Sequence, residues 1–126
     1  MKRILVAVDD SPQALAAADV AITLAGELGA ELRLVTMAGP RRDPEPALRW
    51  AAERARAAGL AATSQLVADG RPYEALLGVA REWRADLIVM GRSDTRRPGT
   101  PHVGSQTEHL LEFTEVPVLV VPHVPI

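Results

Sequence analysis

Asp86-Leu87-Ile88-Val89-Met90-Gly91 and, further along the chain, Val116-Pro117-Val118-Leu119-Val120-Val121 are the stretches whose reading decides the fold. Both are short apolar runs, rich in β-branched residues and closed by Gly or Pro. Neither alternates with polar residues. A strand with one wet face alternates, whereas a strand covered on both faces does not. Two such runs in one chain therefore point to a sheet with helices on each side, and so to parallel strands joined by helical crossovers.

Working outward, the same kind of run recurs at Arg3 to Val8, Glu31 to Met37 and Ala62 to Val67, giving five candidate strands with amphipathic or alanine-rich stretches between them. That alternation is the signature of repeated β-α units. Ser11-Pro12 supplies an N-cap and a first-turn proline, and Leu15, Ala18, Ile22 and Ala25 then repeat at helical spacing until Gly29. Asp43-Pro44 opens a second helix through Leu48, Ala51, Ala52 and Ala55 to Gly59. A third is expected from Pro72 to Trp83, with Tyr73, Leu76, Leu77 and Ala80 on its buried stripe, and a fourth from Gly104-Ser105 carrying Leu110, Leu111 and Phe113. Right-handed crossovers cover both faces of such a sheet only if the chain reverses direction across it. Ligands of open α/β sheets bind at that reversal, beyond the carboxyl ends of the strands. Asp9-Asp10-Ser11 and the segment from Gly91 onward both stand at such ends.

Composition narrows the function. The chain has 126 residues, 48% of them hydrophobic and 24% charged, enough for one domain spanning 1–126 and its core. A net charge of −2 offers no basic field for nucleic acid or anionic lipid. The absence of cysteine excludes disulfides, thiolate metal sites and thiol catalysis. The apolar run after Met1-Lys2-Arg3 stops at Asp9-Asp10, too short for a signal peptide or a membrane span, so it reads as a first strand in a cytoplasmic protein.

Taken together, Asp86 to Gly91, Gly104-Ser105, Val116 to Val121 and Val6-Ala7-Val8-Asp9 resemble the universal stress protein family over essentially the whole chain. The resemblance implies a doubly wound five-stranded parallel sheet of strand order 3-2-1-4-5, a stress-response or signalling role, and an ATP cleft between strands 1 and 4. ATP-binding members carry a glycine at the end of strand 4, a second glycine after two residues, then nine residues and a Gly-Ser or Gly-Thr opening the last helix. Gly91 matches the first position and Gly104-Ser105 the last. By the same resemblance Ala7, Asp9 and Val35 bound one rim, with Asp9 near the ribose and Val35 against adenine, while Met90, Gly91, Arg92, Asp94, Gly104, Ser105 and Gln106 bound the other. Bare backbone lets phosphates come close, and a helix N-terminus favours their charge.

Asp94 stands where the second glycine is expected. Two like charges roughly 4 Å apart repel by about 4 kcal/mol at an effective dielectric near 20. Arg92, Arg96 and Arg97 in the same loop, or Mg held between Asp94 and phosphate, would offset this. Asp9 and Val35 also have plainer accounts, as a helix cap and a core valine.

Three other readings compete. Asp9-Asp10 with Asp69 suggests a phosphoacceptor receiver domain, but that needs a lysine after strand 5 and a final helix. The single lysine is Lys2, and only His123-Val124-Pro125-Ile126 follow strand 5. A hydrolase would draw on Ser93, Ser105, His102 and His109, which form no recognisable catalytic constellation, so the chain is expected not to be an enzyme beyond weak ATP hydrolysis, and no metal site is expected. The third is a member of the same family that has lost nucleotide and acts as a dimeric interaction module. In either family reading the last strand, Val116 to Val121, is an apolar edge expected to pair with its own copy across a two-fold axis.

Overall fold

A computed structural model describes residues 1–9, 11–37, 43, 45–67, 72–92 and 105–122. In chain order these form β1 (Arg3–Ala7), α1 (Pro12–Leu28), β2 (Glu31–Met37), α2 (Glu45–Ala57), β3 (Ala62–Val67), α3 (Pro72–Trp83), β4 (Leu87–Gly91), α4 (Ser105–Phe113) and β5 (Val118–Val121). The strands make one parallel sheet in the order β3-β2-β1-β4-β5. The order expected from the resemblance is the one observed.

Two packed layers follow from the crossovers. α1 and α2 lie on the face lined by Ile4, Val6, Leu32, Leu34, Leu87 and Val89. The opposite face, with Leu5, Val35, Ile88 and Met90, takes residues of α3 and α4. Consecutive residues of β1 and β4 thus feed different cores, which is why their runs lack alternation. The chain moves from β1 outward to β3, returns across the sheet through α3, and continues to β5. The reversal falls between β1 and β4, and in open sheets of this kind the crevice opens at the carboxyl ends of the strands on either side of it.

Local signals set most of the ends. The Ser11 hydroxyl accepts the Ala14 N–H at 3.2 Å, and Pro12 occupies the first turn of α1. Gly29 closes α1 with φ 64°, a left-handed conformation in which its N–H reaches the Ala25 carbonyl. At α2 the Asp43 carboxylate accepts the Glu45 N–H at 3.0 Å. α3 ends differently, because the left-handed residue after it is Arg84 (φ 59°), at a cost of about 1–2 kcal/mol relative to glycine.

Several expectations shift. α1 buries Ala14, Ala17, Ala18, Ala21, Ile22 and Ala25, while Leu15 is only half-buried; small side chains let the helix lie close to β4. On α3, Val79 takes a buried place, and Leu77 sits at the margin of the core. On α4, Leu110 is fully buried, whereas Leu111 and Phe113 are 43% and 57% exposed. Thr107 shares the inward face with Leu110, so the interior is satisfied without them. β5 begins at Val118 rather than Val116. Pro117 has no N–H and contributes only its carbonyl, which accepts from Ile88 at 2.9 Å, and Val116 is held in a local turn by the Thr114 hydroxyl.

Candidate functional site

The crevice is built from the ends of β1, β2 and β4. Beyond Ala7 the ladder runs one step further, the Val8 N–H donating to the Val35 carbonyl at 2.8 Å. The register that sets Val6 opposite Val89, carried past Ala7, brings Asp9 level with Arg92 across the reversal. Asp9 is exposed, and one carboxylate oxygen accepts the Ser11 N–H at 2.6 Å, which stiffens the entry into α1. The entry into α1 therefore occupies one oxygen of this carboxylate, and the other has no partner among the described residues.

Val35 is 1% exposed and Met90 is likewise buried, both in the cluster beneath α3 and α4, so they form the floor under the crevice. Gly91 meets a demand the sequence did not separate from ligand binding. A Cβ at Gly91 would lie 2.5 Å from the carbonyl carbon of Gln13 and 2.6 Å from its oxygen. Its bare side is filled by the first turn of α1, so the glycine admits a helix.

Arg92 follows β4, and its N–H donates to the Val121 carbonyl at 3.0 Å. Its side chain is half-buried, and its Nε is withdrawn from solvent with no acceptor among the described residues. Ser105 and Gln106 form the start of α4. Asp94, Gly104, Ser93, His102, Asp69 and His123 lie outside the described residues.

Sequence reasoning passed over Gln13 and Thr36. Thr36 is 2% exposed at the carboxyl end of β2, on the α1 and α2 side, and its hydroxyl has no partner among the described residues. A single threonine in an apolar run carries no signal of this. His109, raised as catalytic raw material, is exposed and stacks on the Tyr73 ring with centroids 5.0 Å apart. A groove of about 400 Å³ between α2 and β3, lined by Leu48, Ala52 and Leu66 with Glu45 and Arg49, lies at the edge of the sheet away from the reversal. Among the described residues no helix is long and apolar enough to cross a membrane.

The fold is that of an α/β protein of the doubly wound class, whose members take ligands at the strand reversal, here between β1 and β4. Residues 1–122 match the Universal stress protein family, and the chain belongs to that family. A universal stress protein of Thermus aquaticus, encoded in the 3' region of a QAH/OAS sulfhydrylase, is 38% identical over 95% of this chain and 98% of that protein. Among solved structures, a universal stress protein in complex with cAMP is 30% identical, with a TM-score of 0.82 over 98% of each chain. A family member from Burkholderia pseudomallei is 34% identical, with a TM-score of 0.76 over 96% of each.

Proposed function

We propose that this chain is a single-domain, cytoplasmic stress-response protein that binds an adenine nucleotide in the crevice between β1 and β4 and works as a binding module rather than an enzyme. The observation that carries the reading is full-length likeness, at 30% identity, to a protein solved with cAMP bound. The chemistry of the crevice supports it. Asp9 is exposed and has a carboxylate oxygen beyond the one bonded to Ser11 that could accept from sugar hydroxyls, and Arg92 follows β4 on the other side of the reversal.

ATP is the nucleotide that the glycine pattern implies, and Asp94 is what sets the number of phosphates tolerated. Calorimetric titration of AMP, cAMP and ATP, with and without magnesium, into wild type and Asp94→Gly tests both levels. Micromolar binding of at least one of them by wild type is expected, with ATP gaining at least tenfold in the variant. ATP binding equal in both proteins would remove Asp94 as the selector. No binding of any nucleotide by either protein would leave the nucleotide-free interaction module as the reading.

A further inference from the structure

The sheet is covered unevenly on its α3 side. The register sets Arg3, Leu5 and Ala7 of β1 on one face with Glu31, Arg33 and Val35 of β2, and through them with Thr63 and Gln65 of β3. The core under α3 and α4 takes Leu5, Ala7 and Val35 from that face. Arg33, Thr63 and Gln65 stay outside it: Thr63 is exposed, and the other two are half-buried. α3 meets Arg33 through Trp83, its last residue.

Arg33 is the centre of this open half-face, toward the amino ends of the strands and away from the crevice. Its Nε donates to the Thr63 hydroxyl at 3.1 Å and its Nη1 to the Gln65 side-chain oxygen at 3.4 Å. The guanidinium carbon stands 4.7 Å from the centre of the Trp83 ring. These contacts orient the group without neutralising it, and a guanidinium keeps further N–H donors beyond the two engaged here. Among the described residues it forms no ion pair. Arg3 lies 5.9 Å from the same ring, with its Nη1 bonded to the Trp83 carbonyl at 2.9 Å. Two acids stand near: Glu31, opposite Arg3 in the register, and Asp86, whose carboxylate is engaged by the N–H groups of Lys2 and Arg3. Neither pairs with Arg33. Directly after Trp83, Arg84 holds a left-handed backbone (φ 59°) that glycine would adopt without strain. Ending α3 does not call for an arginine there, whereas an anionic partner does.

We propose that this half-face, with Arg33 as its anchor and Trp83 and Arg3 beside it, docks an acidic segment of a partner protein. Arginine and tryptophan are the residues that most often carry the energy of protein interfaces. A guanidinium already oriented by Thr63 and Gln65 can meet a carboxylate with both prongs and loses little freedom in doing so. An open sheet face offers a segment of chain more contact than it offers a small anion, and a net charge of −2 weighs against nucleic acid. The surface is separate from the crevice and does not depend on the nucleotide reading.

The probe is fluorescein-labelled octaglutamate, followed by fluorescence anisotropy at low ionic strength, with oligothymidylate as a second polyanion. Trp83 emission is read in parallel in a Trp50→Phe background. Wild type is expected to bind octaglutamate more tightly than oligothymidylate, and Trp83 emission should change on binding. Arg33→Gln should weaken octaglutamate at least fivefold, and Arg33→Lys less, since ammonium keeps the charge but loses the fork. Arg49→Gln removes the same charge from α2, on the other side of the sheet, and should leave the affinity unchanged. Gln65→Glu sets a carboxylate beside Arg33 from within, so it should also abolish binding while melting no lower than wild type. Equal losses in Arg33→Gln and Arg49→Gln would reduce the effect to net charge and overturn the proposal. So would wild type that ignores octaglutamate or prefers oligothymidylate. Affinity unchanged in Gln65→Glu, with Arg33→Gln melting below wild type, would make the arginine only a strap between β2 and β3.

Discussion

A methyl group on residue 91 would have to displace backbone. The nearest atoms to that Cβ belong to the Gln13 peptide, 2.5 and 2.6 Å away, and a main-chain carbonyl at the start of a capped helix cannot rotate aside as a long side chain does. Gly91→Ala is therefore expected to destabilise by about 1–3 kcal/mol, the usual cost of overpacking a close contact. Differential scanning calorimetry should register this as a fall in Tm of roughly 4–10 °C. An unchanged Tm would mean that α1 yields at no cost and that packing does not require the glycine. The sequence marks Gly91 but cannot separate its two uses, since a helix and a phosphate both ask for missing side-chain volume. Arg92 could be named from the resemblance, but that its Nε is buried with no acceptor among the described residues emerges only once its neighbours have positions. Asp9 shows the reverse case: both its readings, cap and ribose acceptor, could be written down from sequence, and the Ser11 contact makes the first concrete.

At the scale of elements, punctuation by Ser, Pro and Gly was readable because its physics is local. Ser11-Pro12, Gly29 and Gly59 act within a turn of where they stand. Boundaries set by distant partners were not. β4 begins one residue later than its apolar run suggests because Asp86 is a corner, its carboxylate accepting the N–H groups of Lys2 at 2.8 Å and Arg3 at 2.9 Å. Those two bonds, that from Lys2 first, hold the Asp86 carboxyl below its ordinary value by favouring the charged form. The unfolded chain therefore binds a proton at a higher pH than the folded one. Stability from this corner is complete above the ordinary carboxylate pKa of about 3.9 and drains away as pH falls through the lower folded value. Thermal melts of wild type and Asp86→Asn from pH 7 to pH 3 should show wild type ahead at neutral pH, with the gap narrowing below about pH 4. A gap that stays constant over the range would mean that the two N–H groups do not distinguish carboxylate from carboxylic acid.

For the molecule as a whole, the two sheet edges differ in how they meet water. β3 is blunted: Thr63, Ser64 and Gln65 are polar, and Arg33 of β2 reaches across to the Thr63 hydroxyl at 3.1 Å and the Gln65 side chain at 3.4 Å. Among the described residues β5 has no such protection. It is Val-Leu-Val-Val, Leu119 is 37% exposed, and on α4 Leu111 and Phe113, surplus to the interior, remain open to solvent. An apolar edge with unpaired backbone invites another strand, and pairing with its own copy across a two-fold axis closes the contact and prevents further growth. Light scattering at micromolar concentration should accordingly give about twice the 13.5 kDa of one chain, and Leu119→Lys should return it to a single chain. A wild type that scatters as one chain would leave the edge uncovered and sink the pairing. The rung from the Arg92 N–H to Val121 joins this edge directly to the crevice, so the same variant reads out a second quantity. If AMP affinity is the same in Leu119→Lys as in wild type, assembly and binding are independent functions of one sheet. If the affinity falls with the mass, the edge strand is what holds the end of β4 in place for binding.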